Sequence, residues 1–142
     1  MPTITVQKVN DFKDLESVFH IRKTVFVVEQ NCPADLEFEN EDISHHFLAF
    51  ADGEPAGTGR WRQTDKGYKC ERFAVLQDYR NYGVGSKLLE TLLNDLPEDA
   101  SYVYLHAQLT AMRLYAKFGF EAEGDMFQEA GIQHYKMVRK TP

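Results

Sequence analysis

The chain has 142 residues, of which 43% are hydrophobic, and it carries a formal net charge of −6. These values predict a single domain over residues 1–142 with one core, and the acidic balance disfavours a nucleic-acid partner. No apolar run approaches the ~20 residues that span a membrane, and the first residues lack a signal-peptide pattern, so we expect a cytoplasmic protein without a membrane partner.

One strand and one long helix are predicted at the start of the chain. Apolar and polar residues alternate over residues 3–9, which predicts a strand. Asp11 is placed to cap a helix whose apolar spacing continues to about Glu29. The following stretch, residues 31–44, is rich in acids and contains a proline, so we expect a loop or a short broken helix there.

Three short strands are predicted in the middle of the chain. They cover residues 46–51, 56–64 and 68–75, and short glycine-containing turns separate them. Turns of this length favour antiparallel hairpins. Gly57 and Gly59 lie within the middle strand, where the lack of a side chain indicates a bulge or a close approach of another part of the backbone.

A strand–helix–strand unit follows. Leucines and a valine at helical spacing predict a helix from Val84 to Leu96, and Pro97 ends it. A β-rich run over residues 102–107 comes next. Because a crossover helix joins parallel strands, we expect this strand to lie parallel to the strand over residues 68–75.

The last part of the chain predicts a short helix and a final strand. The helix covers residues 109–118, Gly119 supplies a left-handed end, and a strand over residues 133–139 closes the chain. Antiparallel strands followed by a strand–helix–strand unit predict an α/β fold. Its central sheet should be mixed and mostly antiparallel, with helices on both faces.

The cysteine and histidine spacings do not predict a metal site. Cys32 and Cys70 lie far apart and outside any CxxC pattern, so we expect two free thiols. His45 and His46 are adjacent, and on a strand their rings would point to opposite faces of the sheet. This arrangement is wrong for binding one ion with both rings.

The sequence YRNYGVGSKLL over residues 79–89 predicts an anion-binding loop. Gly83 and Gly85 open a helix, whose first N–H groups lack partners and carry about half a positive charge. The spacing does not match the GxxxxGK[ST] loop, and Leu88 stands where a dinucleotide-binding loop has its third glycine. A plain strand-to-helix turn is the simplest alternative, but the guanidinium of Arg80 would complete a site for a di-anion.

Several motifs together resemble the GNAT superfamily of acyl-CoA N-acyltransferases. RNYGVG over residues 80–85 is similar to its pyrophosphate loop, Q/R-x-x-G-x-G/A. LYAKFGF over residues 114–120 is similar to L-Y-x-x-x-G-F, and Gln108 stands where many members have asparagine. FVVEQ over residues 26–30 and GIQH over residues 131–134 resemble a bacterial ElaA-like or YjcF-like subgroup.

The resemblance implies acetyl-CoA as the acyl donor, without a metal. The backbone of Phe73 and Val75 would hydrogen-bond the pantetheine arm, and Gln108 would lie near the same arm. N–H groups of the glycine loop would hold the pyrophosphate. The complete set of implied donor-binding residues is Phe73, Ala74, Val75, Arg80, Asn81, Tyr82, Gly83, Val84, Gly85, Ser86 and Gln108.

The chemistry of amine attack on a thioester sets three requirements. An alkylamine with a pKa of about 10.4 must lose a proton, and the developing oxyanion needs a donor such as the N–H of Val75. The thiolate must also leave, and its ordinary pKa of ~8.5 makes this step feasible unaided. The resemblance implies Tyr115 as the catalytic acid for the thiolate, and the simpler alternative is a core aromatic residue.

The sequence offers several candidates for the general base. By alternation, Glu71 is expected on the same strand face as Phe73. Glu29, His106 and His134 are further candidates. For each of them the simpler interpretation is a surface charge or a hydrogen-bonded core histidine, and a water chain would make a dedicated base unnecessary.

We therefore expect an acetyl-CoA-dependent N-acetyltransferase that acts on a primary amine of a small molecule or peptide. The alternatives are a non-catalytic acyl-CoA-binding or regulatory module with the same fold, and a mononucleotide-binding α/β domain. The acidic run over residues 37–42 predicts a solvated loop or, as an alternative, a surface for a cationic amine. Trp61 and the other aromatic residues predict a core or a homodimer interface.

Overall fold

The computed structural model of the protein describes residues 2–31 and 40–140. Its strands are β1 (Ile4–Lys8), β2 (His45–Ala51), β3 (Glu54–Gln63), β4 (Tyr68–Val75), β5 (Tyr102–Gln108), β6 (Glu121–Glu129) and β7 (Ile132–Lys140). Its α-helices are α1 (Phe12–Arg22), α2 (Val84–Asp95) and α3 (Met112–Ala116). A π-helical segment (Lys23–Glu29) continues α1, and 3-10 turns cover Glu41–Ile43, Gln77–Tyr79 and Leu109–Ala111.

The seven strands form one sheet in the order β1-β2-β3-β4-β5-β7-β6. Neighbouring strands are antiparallel except β4 and β5, which are parallel and are joined through α2. The mixed, mostly antiparallel sheet and the parallel strand–helix–strand unit that the sequence predicts are therefore confirmed. The single parallel pair lies near the centre of the sheet, which is where the site is built.

Helices cover both faces of the sheet, as predicted. On one face, Val18 of α1 packs with Leu48 of β2 and Ala74 of β4. On the other face, Leu88 of α2 packs in a larger cluster with Phe47 of β2. Each large aliphatic side chain buried in this way contributes about 1.5–3 kcal/mol. None of the helices within residues 2–31 and 40–140 is long and apolar enough to cross a membrane.

The first helix reaches Glu29 as predicted, but its last turns are π-helical. The N–H of Gln30 bonds to the carbonyl of Val25, five residues earlier. The segment KTVFVVE is rich in β-branched residues, which are weaker helix formers than straight-chain residues. The wider turn places Glu29 and Gln30 at the rim of the cleft described below, a use that is common for π-helical segments.

The strand β6 was not predicted from the sequence. Its residues, EAEGDMFQE, contain four acids and a glycine, and they lack the apolar alternation of a half-buried strand. β6 lies at an edge of the sheet and is exposed along most of its length, so it needs little apolar surface. The helix predicted over residues 109–118 is also shorter, because its first turn is a 3-10 turn, although Gly119 ends it with φ 89° as expected.

A β-bulge interrupts the pairing of β3 and β4. The register shifts between Thr58 and Arg60, so Gly59 lies opposite both Arg72 and Phe73. A Cβ atom at Gly59 would lie 2.7 Å from the ring of Phe73, and Arg72 has the left-handed φ of 57°. The bulge predicted at this strand is therefore confirmed, and the group that approaches Gly59 is a side-chain ring, so glycine is required beside it.

The adjacent histidines point to opposite faces of the sheet, as predicted. The ring of His45 stacks on Trp61 with centroids 3.9 Å apart, whereas the ring of His46 lies edge-on to Phe19 of α1. Trp61 is buried in the core. Cys70 is a free, buried thiol, while the thiol predicted at Cys32 lies outside the described residues.

Candidate active site

A cleft of about 640 Å³ opens where β4 and β5 diverge. The two strands pair at Tyr68↔Val103 and Lys69↔Tyr104, and the described strands do not pair at any later position. The sheet is therefore split along the second half of β4. Such a gap leaves backbone N–H and C=O groups without strand partners, and an elongated ligand can satisfy them.

The end of β4 lines this cleft with Phe73, Ala74 and Val75. The N–H of Leu76 bonds to the carbonyl of Ala56 on β3 at 2.9 Å. Because backbone polar groups alternate along a strand, those of Val75 and Phe73 point the other way, toward the gap. The strand segment predicted to bind the acyl donor therefore presents its backbone to the cleft.

The loop between β4 and α2 presents a row of N–H groups. Among the described residues, no backbone N–H from Asn81 to Ser86 has a hydrogen-bond partner, and the first bond of α2 joins the N–H of Lys87 to the carbonyl of Gly83. Asn81 and Gly83 have φ of 70° and 84°, which bends the chain around the start of the helix. A loop of this kind fits an anion, such as the pyrophosphate predicted here.

Arg80 connects this loop to the first helical region. Its Nε donates to the carbonyl of Val75 at 2.9 Å, and its Nη2 pairs with Glu29 Oε2 at 2.7 Å. The guanidinium is therefore held between the end of β4 and the π-helical segment, and its place beside the row of N–H groups stays a prediction. Glu29, one of the candidate bases, is in this ion pair at the rim of the cleft.

Gln108 lies at the end of β5, on the other side of the gap. Its Nε2 donates to Gln30 Oε1 at 3.3 Å, which links β5 to the π-helical segment across the cleft. Both side chains line the cleft. For Gln108 to contact the donor as predicted, its amide would have to leave Gln30 or to hydrogen-bond both Gln30 and the donor.

Tyr115 of α3 lines the cleft and is 7% exposed. Its ring packs against Phe73 and Phe120, with centroids 5.9 and 6.2 Å away. Burial, with a smaller effect of Cys70, raises the pKa of the Tyr115 phenol above its ordinary value. The phenol therefore keeps its proton at neutral pH, as a group that donates a proton must.

The prediction that Glu71 shares a strand face with Phe73 is wrong. The bulge at Arg72 shifts the alternation by one residue, so Cys70 and Phe73 both pack on the α2 side. Glu71 therefore faces the α1 side, where its carboxylate accepts hydrogen bonds from Arg60. A residue of left-handed conformation that is not glycine has no sequence signal, which is why simple alternation failed.

The surroundings of Glu71 also make it a poor base. Burial alone would raise the pKa of this carboxyl group, but hydrogen bonds from Arg62 and Arg60 and the charges of Arg60 and Lys69 outweigh burial and lower the pKa to about 2. A carboxylate this acidic has little tendency to take a proton at neutral pH. The role of Glu71 is to neutralise buried cations beneath the cleft.

Glu41 belongs to the same charge network. It accepts hydrogen bonds from Arg22 and Arg60, both of which are 1% exposed. The solvated loop predicted over residues 37–42 is therefore wrong for Glu41, because buried arginines require a paired carboxylate. Residues 37–39 lie outside the described residues.

Replacing Glu71 with glutamine should destabilise the protein by about 3–5 kcal/mol at pH 7, because the change removes the carboxylate that Arg60, Arg62 and Lys69 share. The folded pKa of about 2 lies below the ordinary value of 4.5, so the stabilisation is present above pH 4.5 and is lost as the pH falls toward 2. Urea unfolding at several pH values should show that the free energies of unfolding of the wild type and the variant converge as the pH falls below 4.5. A matched control is Glu16→Gln, at an exposed position of α1. A pH-independent difference would contradict the assignment.

His106 and His134, the remaining candidate bases, both line the cleft. The Nδ1 of His106 lies 2.9 Å from Glu129 Oε2, and the Nδ1 of His134 lies 2.7 Å from the carbonyl oxygen of Ile132. Glu129 was not among the candidates from the sequence. It lies on β6, and without that strand there was no reason to place it near β5.

Comparison with known proteins identifies the chain. Residues 5–141 match the family model described as an acetyltransferase (GNAT) domain. The chain belongs to the GNAT acetyltransferase family. It is similar to the Bacillus subtilis protein YjcF, which is described as an uncharacterized N-acetyltransferase, with 36% identity over 130 residues that cover 89% of this chain and 93% of YjcF.

Solved structures of GNAT proteins have the same fold. Escherichia coli ElaA superposes with a TM-score of 0.82 and 29% identity, over 97% of this chain and 100% of ElaA. An acyl-CoA N-acyltransferase from Pseudomonas aeruginosa also gives a TM-score of 0.82 and 29% identity, over 98% of this chain and 99% of that protein. The predicted family, its ElaA-like or YjcF-like relatives and the fold class are confirmed. As a GNAT protein, the chain is an N-acetyltransferase of the class that uses acyl-CoA donors.

Proposed function

We propose that this GNAT protein transfers an acetyl group from acetyl-CoA to a primary amine of a small molecule or peptide. The observation that carries the proposal is the cleft between β4 and β5. It passes from the partnerless N–H groups of the loop before α2, along the open backbone edge of β4, to the buried phenol of Tyr115. These are the parts needed for a pyrophosphate, an extended arm and a thioester sulfur, in that order.

The donor would be held mainly by the backbone. Asn81, Tyr82, Gly83, Val84, Gly85 and Ser86 would surround the pyrophosphate, with Arg80 beside them. Phe73, Ala74 and Val75 would pair with the pantetheine arm, and Gln108 would close the site from β5. Backbone recognition of this kind tolerates varied side chains, because the N–H groups at a helix start and along a strand edge do not depend on residue type.

The reaction follows from direct attack of the amine nitrogen on the thioester carbon. The N–H of Val75 would bind the developing oxyanion, and the hydroxyl of Tyr115 would protonate the departing thiolate. Binding both reactants in one cleft contributes to the rate as well, by about 7–11 kcal/mol in favourable cases. The acceptor belongs on the α1 side of the cleft, opposite the face on which Tyr115 packs.

Two measurements test the proposal. Isothermal titration with acetyl-CoA should show binding, and release of free CoA should accelerate with at least one amine of a panel containing spermidine, glucosamine, glycine and a peptide with a free N-terminus. Binding without release with any amine would favour the non-catalytic acyl-CoA-binding module. Preference for ATP or NAD over acetyl-CoA would contradict the donor assignment. A cytoplasmic location and a homodimer remain predictions from the sequence.

A further inference from the structure

A cluster of aromatic and titratable side chains lies on the β5–β7–β6 half of the sheet, on the face opposite α2. Along β5, Leu105 and Ala107 pack in the cluster beneath α2, so His106 points to the opposite face. The ring of Phe127 on β6 lies between two histidines, with centroids 5.0 Å from His106 and 5.8 Å from His134. Both histidines line the cleft.

The hydrogen bond to Glu129 fixes the protonation pattern of His106. The two atoms, His106 Nδ1 and Glu129 Oε2, lie 2.9 Å apart. The hydrogen bond from His106 outweighs partial burial and lowers the pKa of the Glu129 carboxyl, so this group is ionised and can only accept. His106 must therefore carry a proton on Nδ1, which leaves Nε2 with the lone pair when the ring is neutral.

His134 has the same tautomer for a different reason. Its Nδ1 lies 2.7 Å from the carbonyl oxygen of Ile132, an acceptor that cannot donate. His134 is 6% exposed, whereas the side chain of His106 is 25% exposed. Of the two rings, His106 is therefore the one that an incoming amine can reach from solvent, and it alone has a carboxylate behind it.

The two glutamates among the candidate bases are poorly placed to accept a proton from the amine. Glu71 faces the α1 side within a group of cations and is too acidic to accept a proton at neutral pH. Glu29 is paired with Arg80 at 2.7 Å at the loop end of the cleft. His106 is the remaining group that combines a lone pair, access from solvent and a fixed orientation.

We propose that His106 is the general base of the transfer reaction and that Glu129 is a positioning residue that holds its ring. This inference rests on the proposed acetyltransferase function. His106 Nε2 takes a proton from the amine nitrogen while that nitrogen forms a bond to the thioester carbonyl carbon. The carbon–sulfur bond breaks, and the thiolate takes the proton of the Tyr115 hydroxyl. Solvent then removes the proton from the imidazolium and returns one to the tyrosinate, which balances the cycle.

The groups around His106 and Glu129 influence the pH dependence to be tested. Glu129 faces His106 from β6, Lys136 is its register partner on β7, and the Tyr104 ring lies 6.2 Å away on β5. Lys69 of β4 and His134 of β7 also lie close enough to lower the pKa of the Glu129 carboxyl group. Substitutions should therefore be compared through the whole pH profile rather than at one pH.

The decisive variant is His106→Gln, assayed by CoA release with the panel amine that the wild type uses fastest. Loss of a general base should reduce kcat/KM by about 100-fold or more. The kcat/KM of the wild type should depend on two ionisations, one of the amine and one of the enzyme, and the variant should lose that of the enzyme. Affinity for acetyl-CoA, measured by isothermal titration, should stay unchanged, which also shows that the variant folds.

Four further variants separate the possible roles. His20→Gln, at an exposed position of α1, is the matched control and should behave as the wild type. Glu129→Gln can still accept from Nδ1, so it should retain more activity than Glu129→Ala, and both should retain the ionisation that His106→Gln removes. His134→Gln should also retain this ionisation.

The outcomes distinguish the two proposals. A His106→Gln variant with the rate and pH profile of the wild type overturns His106 as base but leaves acetyl transfer intact. If the ionisation of the enzyme disappears from the kcat/KM profile of His134→Gln but remains in that of His106→Gln, the assignment of His106 as the base is overturned as well. A wild type that transfers acetyl to no amine of the panel overturns both proposals together.

Discussion

Replacing Gly83 with aspartate is expected to weaken acetyl-CoA binding about a thousandfold. The new carboxylate would stand before the N–H groups of α2, where we propose that the pyrophosphate binds. Two negative charges ~4 Å apart repel each other by about 4 kcal/mol at an effective dielectric constant of ~20. This energy corresponds to nearly three orders of magnitude in Kd. Isothermal titration with acetyl-CoA measures the effect directly.

The matched control for this substitution is Gly83→Asn. Asparagine has the shape of aspartate without its charge, and it tolerates the left-handed φ of 84° better than most residues. Within the described part of the chain, no heavy atom beyond the adjacent residues lies within 4 Å of a Cβ built at Gly83, so both variants should fold. Equal affinities of the two variants for acetyl-CoA would show that the loop does not hold the pyrophosphate.

Gly85→Asp tests the same loop one step further into the helix. Here a Cβ would lie 3.2 Å from Leu114 Cδ2, so the substitution adds crowding to the charge repulsion. We expect loss of detectable acetyl-CoA binding. Gly85→Ala is its control, because it keeps the crowding and omits the charge. If Gly85→Asp binds acetyl-CoA normally, the donor lies elsewhere.

Features with a local physical cause could be predicted from the sequence. The helix beginning at Val84 has a continuous apolar stripe, and Pro97 ends the pattern. Gly83 has a left-handed φ that favours glycine, so the turn where we propose that the donor binds has a signal in the sequence. The parallel pairing of β4 and β5 followed from the crossover helix, because connections of this type are short and of one hand.

Features that depend on contacts distant in sequence could not be predicted. At the bulge Arg72 has a left-handed φ and the Phe73 ring lies against Gly59, and the bulge reverses the side to which Glu71 points. A one-residue slip of this kind moves every earlier side chain to the other face. Glu129 lies on the exposed strand β6. Because this strand was not predicted, Glu129 could not be predicted as the partner of His106. The loop that we propose as the donor site could therefore be predicted from motifs, whereas the proposed base and its partner required the fold.

Replacing Tyr115 with phenylalanine should slow acetyl transfer about 100-fold and leave acetyl-CoA affinity close to that of the wild type. General acid catalysis contributes 10²–10⁴-fold in typical enzymes, and we expect the lower end (about 100-fold) here. A thiol pKa near ~8.5 lets the thiolate leave without full proton transfer. Burial raises the pKa of Tyr115, which makes its phenol a weaker acid than usual.

The direction of this pKa shift also predicts the alkaline side of the pH profile. A phenol whose pKa is raised above its ordinary value of ~10 stays protonated up to and beyond that pH. Wild-type kcat should therefore show no loss assignable to Tyr115 below pH 10. An alkaline decline centred well below pH 10 that disappears in Tyr115→Phe would contradict the burial of this phenol in the working enzyme.

Tyr68→Phe is the matched control for Tyr115→Phe. Tyr68 lies at the other end of β4, packs against Trp61 and does not line the cleft. Both substitutions remove one phenolic oxygen from a ring packed in the same core cluster, so their effects on folding should be similar. A loss of kcat confined to Tyr115→Phe, with unchanged Kd for acetyl-CoA, assigns the hydroxyl to the chemical step. Equal kcat values for both variants and the wild type would reduce Tyr115 to a packing residue and leave the thiolate to depart unaided.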